Sequence, residues 1–558
     1  MRWLISLFFF VTMKHTHIFF LFLLISFFSC KETPDIKPLV NTYIEKVSVN
    51  DRVITQNGTI HNINSDSVVV RIWFSSKIEK EKYDPLKIFV SNGVDADISI
   101  LSDTLSRVFS FRINKKLDKF SSYTLYAAEG EHFGVKLIDT YQFTFVTELD
   151  STYKFPVITD DSLLTLVQKQ TFKYFWSYAH PVSGLARERL GSGETVTTGG
   201  SGFGVMTIPV AIERGFITRQ QGYERMNTIV NFLNTKAEKF HGVFSHWLNG
   251  TSGKVQPFST KDNGADLVET AFLIQGLLTV QQYFKTGNTA EKALCDTIQK
   301  IWENVEWDWF QQNGQLQLYW HWSPDYFWAI NMKITGWNEA LIIYVLAASS
   351  PTHPITKAVY DNGWARNGAM KNGKSFYDIT LPLGEDKGGP LFFAHYSFLG
   401  LNPTHLSDTY ANYWQQNTAH ARINYLYCVE NPKGYYGYSA DCWGLTASDI
   451  PNGYTASSPN NDGGTIAPTA ALSSFPYTPE ESMRALHFFY YTLGDKMFGE
   501  YGFKDAFNLN KHWFADSYLA IDQGPIVVMI ENYRTGLLWN LFMQNPNVQS
   551  GLTKLGFN

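Results

Sequence analysis

Two periods of hydrophobic residues divide this chain. From about residue 41 to 148, apolar and polar positions alternate in short runs such as Val68-Val69-Val70-Arg71-Ile72-Trp73-Phe74, Lys87-Ile88-Phe89-Val90, Val108-Phe109-Ser110-Phe111-Arg112-Ile113 and Tyr141-Gln142-Phe143-Thr144-Phe145-Val146. Period two, β-branched residues and the breaks Asn57-Gly58 and Asn92-Gly93 predict an antiparallel sandwich over residues 41–150. Beyond Asp150 the spacing becomes helical, and helices are expected at 162–178, 207–237, 266–283, 291–307, 339–348, 408–429, 480–493 and 524–542. The stretch 267–280 is apolar nearly all round, as an inner layer covered by an outer one would be. Long loops at 241–264, 312–337, 366–404 and 431–478 are rich in Gly, Trp, Tyr and Asp, and loops of that length in a packed domain predict a functional face. The fold class expected is mainly α, with helical hairpins closing into a ring over residues 155–558 behind a small all-β sandwich.

A chain of 558 residues suits two domains, and the first thirty residues stand outside the fold argument. After Met13 and Lys14, an apolar run from Ile18 to Ile25 is too short to span a membrane comfortably, and it ends at Ser29-Cys30. This resembles a bacterial lipoprotein signal (residues 1–30) with Cys30 as the lipidated first residue, followed by a polar tether at 31–40. It implies an exported protein anchored by lipid to the outer membrane and otherwise soluble. The sandwich resembles the bacterial Ig-like modules of surface enzymes, a spacer by that reading. Cys295, Cys428 and Cys442 remain; an oxidising route permits a Cys428–Cys442 bridge, and buried free thiols are equally consistent. A net charge of -5 without any basic stripe argues against a nucleic-acid partner. An aromatic share of 16%, with 16 Trp and 30 Tyr, suits stacking on sugars, although large helical cores also consume aromatics. No metal-ligand spacing is present, so neither a catalytic metal nor a cofactor is expected.

The acids carry the candidate chemistry. In Lys261-Asp262-Asn263-Gly264-Ala265-Asp266-Leu267-Val268-Glu269, the three carboxylates fall at i, i+4 and i+7, on one face of any helix that covers them. Crowded beside Phe272 and Leu273 they would raise at least one pKa, which makes a general acid at neutral pH; helix N-capping is the competing role. A second acid, Glu339, follows an aromatic loop, Tyr319-Trp320-His321-Trp322, and Ile334-Thr335-Gly336-Trp337-Asn338, at the start of an apolar helix. Asp522 opens a third segment, with Glu531 and Arg534 downstream, and capping is its alternative role too.

The segments 262–275, 336–339, 350–353, 443–447, 464–468 and 522–534 resemble the glycoamylase-like domain of Bacteroidota-type lipoproteins, and more narrowly the glycoside hydrolase family containing bacterial β-1,2-glucanases. The resemblance implies an (α/α)6 toroid and an inverting hydrolase of β-1,2-glucan or sophoro-oligosaccharides. It places the family's acidic positions on Asp262, Asp266, Glu269, Glu339 and Asp522. Gly264-Ala265-Asp266 stands where the family has Gly-Gly-Asp, and Arg187-Glu188-Arg189 replaces an expected Asp-Arg pairing. Glu339 is assigned as general acid and Asp266 as base, with Asp262 or Asp522 as alternates and a spacing of roughly 6.5–9.5 Å expected. Glu269, Trp337, His395, Tyr396, Trp443 and Arg534 are the candidate substrate-binding residues. The partner expected is a glucan, met by a monomer. Competing readings are an α-glucan glucoamylase, a non-catalytic glycan-binding lipoprotein, and a lyase, which the Arg-poor motifs argue against.

Overall fold

The computed structural model describes residues 38–558 apart from 92, 93, 95 and 96. The signal segment, Cys30 and most of the tether lie outside the described residues, as does the Asn92-Gly93 turn. The chain divides into two units, at Val146/Thr147.

The first unit is all β. A five-stranded sheet runs in the order Arg52–Ile54, Ile44–Val49, Val68–Phe74, Val108–Ile113, Ile98–Ile100, and a four-stranded sheet in the order Thr59–Ile63, Tyr141–Thr147, Ser122–Ala127, Ile88–Val90. Alternation sets the register: Val68, Val70, Ile72 and Phe74 point inward, and Val70 and Ile72 pair with Phe111 and Phe109. Residues of both sheets, including Phe109, Leu125 and Phe145, share one core. Asn57-Gly58 does not close a hairpin. With Asn57 at φ 58° it carries the chain from one sheet to the other. One pairing is parallel, Val40–Thr42 on Val135–Leu137.

The second unit is mainly helical: α1 (Asp160–Trp176), α2 (Thr198–Glu213), α3 (Arg219–Thr235), α4 (Leu267–Phe284), α5 (Thr289–Glu303), α6 (Leu341–Ser349), α7 (Lys357–Asn362), α8 (Tyr413–Glu430), α9 (Pro468–Leu472), α10 (Pro479–His487), α11 (Gly494–Met497), α12 (Ala520–Thr535), α13 (Leu537–Met543) and α14 (Pro546–Leu555). The helix expected at 207–237 is two, because Gly215 at φ 69° ends the first and Thr218 with Gln221 forms a capping box for the second. Gly536 at φ 71° likewise splits the stretch expected at 524–542. Cys295, Cys428 and Cys442 are buried free thiols.

Helix α2 starts nine residues before the expected 207, in Gly199-Gly200-Ser201-Gly202-Phe203-Gly204, a composition that reads as a loop. Packing explains it. A Cβ on Gly202 would lie 2.3 Å from the Phe272 carbonyl oxygen, and one on Gly276 would lie 2.1 Å from the Gly202 oxygen, so α2 and α4 touch backbone to backbone. Helix α4 is buried on nearly every side, whereas α3 and α5 keep a wet face, which gives an inner and an outer layer. Loops between the helices carry short hairpins, among them Ala447–Ile450 with Gly453–Ala456 and the pairing of Ala265–Asp266 with His321–Trp322.

Candidate active site

A cleft of about 500 Å³ is lined by residues from eight separated stretches, including Glu188 and Arg189, His246, Trp247 and Phe258, Glu269 and Glu339. Helix α4 brings the first acids there. Asp266 is its N-cap, not a position on its face: Oδ1 accepts from the backbone N–H of Val268 at 3.0 Å and of Glu269 at 2.9 Å. Its Oδ2 lies 2.9 Å from Nδ1 of His246, and its side chain is fully buried. The base assigned from sequence is therefore occupied on both oxygens. Glu269 lines the cleft, one turn in, and accepts a 2.8 Å hydrogen bond from the Gly199 N–H. A side chain at Gly199 would displace that carboxylate, since its Cβ would sit 2.5 Å from Oε2.

Asp262 lies in the loop before the helix, so the i, i+4, i+7 face is not how these acids meet. They converge through histidines: His321 Nε2 stands 3.4 Å from Asp262 Oδ2 and 3.8 Å from Asp266 Oδ2. Burial, and then the neighbouring Asp266, raises Asp262 to about 7. Burial likewise raises Glu269 to about 7 against the pull of His246. Burial opposes charge on His246, yet Glu269, Asp266 and Asp262 together raise it to about 9, so the imidazolium persists at neutral pH and holds Asp266 ionised. His246, Asp262 and Asp266 each offer a ligand atom within 4.8 Å of the others and could hold a metal ion; as arranged, they form an ion-paired cluster.

Glu339 precedes α6 by two residues, its backbone oxygen accepting from the Ser397 hydroxyl. Its carboxyl lines the cleft, and burial raises it to about 7. Across from these acids lies a group that sequence reasoning saw only at Asp522. Asp522 sits in the first turn of α12, whose N-cap is Leu519, so it is not a cap. Asp522 and Asp505 are buried carboxyls that act directly on one another, and Asp505 Oδ1 and Asp522 Oδ2 have no other hydrogen-bond partner. Such a contact needs a shared proton. Burial, then the charges of Asp505 and Asp449, raises Asp522 well above the usual range; burial, with the charge of Asp449 adding to it, raises Asp505 to about 7. Asp449 donates its backbone N–H to Asp505 at 2.7 Å, and its carboxylate pairs with Arg189 at 3.1 Å; Arg189 also pairs with Glu188 at 3.0 Å. The departure at 187–189 thus supplies two cleft residues, a role for which the sequence held no local signal.

Tyr396 joins the two groups. It lines the cleft, and burial together with the charges of Asp522, Glu339 and Glu269 keeps its phenol protonated. The other residues expected to bind substrate are elsewhere. Trp337 packs against Trp364, Phe398 and Tyr413. Trp443 is fully buried with Nε1 donating to the Glu481 carbonyl. His395 is bonded to Ser474 and pushed down to about 3 by burial, hence neutral. Arg534 ties α12 to α1 through Asp161, Thr165 and Gln168. Each is an aromatic or polar residue that the core consumed. Besides Tyr396 and His246, the rings that line the cleft are Trp247, Phe258, Phe272, Trp320, Phe392 and Tyr454.

A helical domain with several neutral-range carboxyls and stacked rings around one cleft defines a carboxyl-based, glycan-type acid–base site. The chain belongs to the glycoamylase-like family that includes bacterial β-1,2-glucanases. The family model named Glycoamylase, described as "Putative glucoamylase", matches residues 331–546. An endo-β-1,2-glucanase from Chitinophaga pinensis, solved with sophorotriose and glucose, is 54% identical, covering 72% of this chain and 99% of that one at TM-score 0.71. A β-1,2-glucanase structure from Parabacteroides distasonis is 39% identical over 93% of this chain and 73% of its own, at TM-score 0.70. An exo β-1,2-glucooligosaccharide sophorohydrolase (non-reducing end) from Parabacteroides distasonis is 50% identical over 420 residues, 71% of this chain. The match spans 58% of that relative's length.

Proposed function

We propose that this chain is a glycoside hydrolase that cleaves β-1,2-glucan or sophoro-oligosaccharides with inversion of configuration. The observation that carries the reading is that Glu339, Glu269 and Tyr396 line one cleft, with Asp522 buried next to the cleft-lining Ile521 and its charge, like those of Glu339 and Glu269, acting on the Tyr396 phenol. Glu339, protonated up to about pH 7, is the acid: it protonates the leaving oxygen, directly or through a substrate hydroxyl. The base is the Asp522–Asp505 pair, in place of the encased Asp266. One proton and one negative charge reside on the pair, so it can take the proton of a water attacking the anomeric carbon from the opposite side as the glycosidic C–O bond breaks. Arg189 limits the charge that builds on that group through Asp449.

The named activities of the 50% and 54% identical relatives support the linkage. The layered helices are read as an (α/α)6 toroid, the β unit as an Ig-like spacer, and Cys30 as the lipid anchor of an exported outer-membrane protein acting as a monomer. Incubation with linear β-1,2-glucan, with reducing ends measured and the first product's anomer followed by NMR, tests the activity. New reducing ends in the α configuration are expected; a β anomer rejects inversion, and no release while an α-glucan is cut rejects the linkage.

A further inference from the structure

A second pocket, about 340 Å³, is lined by Glu306, Asp308, Trp309, Asn313, Trp328 and His353 among others. It lies outside the acid cleft and shares none of its lining residues. Its rings are fixed before any ligand arrives. His241 stacks on Trp309 at 3.6 Å and 14°, Trp328 lies 4.8 Å from Trp309 at 30°, and Trp322 meets Trp309 edge-on at 5.4 Å. The polar groups beside them end in planar hydrogen-bonding heads. Asp308 is held by His353 at 3.1 Å and Glu306 by His241 at 2.8 Å, each through one oxygen, which leaves a second oxygen to accept from a hydroxyl.

Backbone conformation marks the same place. Gln312 (φ 50°), Asn313 (φ 67°), His241 (φ 54°) and Phe327 (φ 53°) are all left-handed without being glycine, and Phe327 remains 64% exposed with Tyr326 at 42%. Such backbone conformations concentrate at ligand sites. No Lys or Arg lines the pocket, and its two carboxylates repel anions. Indole faces beside carboxylate, amide and imidazole heads match a neutral polyhydroxyl chain. The location adds to this. In the strand His321–Trp322, successive side chains point to opposite faces: His321 meets Asp262 and Asp266, and Trp322 packs on Trp309 and His241.

We propose that this pocket is a second glucan-binding site, which holds a neutral β-glucan chain on Trp309 and Trp328 and shares no residue with the cleft. The proposal rests on the reading of the cleft as a β-1,2-glucan hydrolase. It is tested by calorimetric titration of the Glu339→Gln protein with sophoro-oligosaccharides, so that ligand survives, alone and combined with Trp328→Ala or Asn313→Ala. Two classes of site are expected in Glu339→Gln. Trp328→Ala should remove one class, and Asn313→Ala, in an exposed turn, should weaken the same class several-fold. In otherwise active protein, Trp328→Ala should raise KM on polymer about tenfold and leave kcat/KM on the shortest cleaved oligosaccharide unchanged, which also certifies its fold. A single class unaffected by either variant overturns the second site and leaves the cleft reading standing. Two classes with full turnover in Glu339→Gln overturn the assignment of Glu339 and leave the second site standing.

Discussion

The two acid groups of the cleft use the same residue type and reach opposite electrostatic solutions. Around α4, three carboxyls share histidines: Asp266 is ionised against a charged His246, while Asp262 and Glu269 are pushed toward neutrality by burial. Around α12, Asp449 has Arg189, while Asp522 and Asp505 have no cation of their own, only each other and, on Asp505, the Asp449 backbone N–H. A carboxylate locked between a helix N-terminus and an imidazolium is stabilised where it is and has little capacity to accept a proton. A proton-sharing pair is poised to exchange one. The lesson is that proximity of acids in sequence marks where charge is managed, and partner chemistry decides which group can react.

The sharpest way to break this contrast is Glu339→Gln, which keeps the shape and removes the proton donor. A loss of about 10²–10⁴ in kcat is expected, with substrate still bound. The parent's kcat/KM should fall as pH rises through about 7, because the acid must be protonated. Stability carries the same sign. The folded state holds a proton on Glu339 that the unfolded chain, with its ordinary carboxyl, releases; that contribution is full at acidic pH and fades as pH rises through about 7. Between about pH 4.5 and 7, melting temperature should therefore decline less steeply in the variant than in the parent; an unchanged slope contradicts the burial of a protonated Glu339.

Asp522→Asn acts on the other group and should cost about 10² or more in kcat. Its amide can donate to Asp505, so the fold should survive while Asp505 ionises more readily. Near-normal turnover with an unshifted pH profile would remove the pair from the reaction. The smallest effect is expected for Asp266→Asn, since asparagine also caps helices. Turnover should drop by less than about tenfold, and the His246 imidazole, deprived of its anion, should titrate below its present value of about 9 by NMR. A fall as large as that of Asp522→Asn would return the base to the α4 side.

Much of the scaffold could be read from one-dimensional pattern. The change of period near Asp150 lies close to the boundary at Val146/Thr147, and the all-round apolar stretch at 267–280 is the buried helix α4. Glu269, Glu339 and Tyr396 line the cleft, and each belongs to a stretch singled out by residue type or motif. Trp337, Trp443, His395 and Arg534 were drawn from the same stretches and face the interior or a neighbouring helix, because a ring or a guanidinium serves a core as well as a ligand. Asp505, Asp449 and His246 carried no local mark, being single polar residues in loops or, for Asp449, in a short hairpin strand.

Residue order alone settled the kinds of element, the burial of α4 and the stock of acids available for chemistry, since these follow from periodicity and side-chain type over a few turns. Folding in three dimensions decided which acids meet, which keep their proton and which are neutralised. Those outcomes depend on burial and on partners 70 to 260 positions away, as when the Gly199 amide reaches Glu269 or Arg189 reaches Asp449.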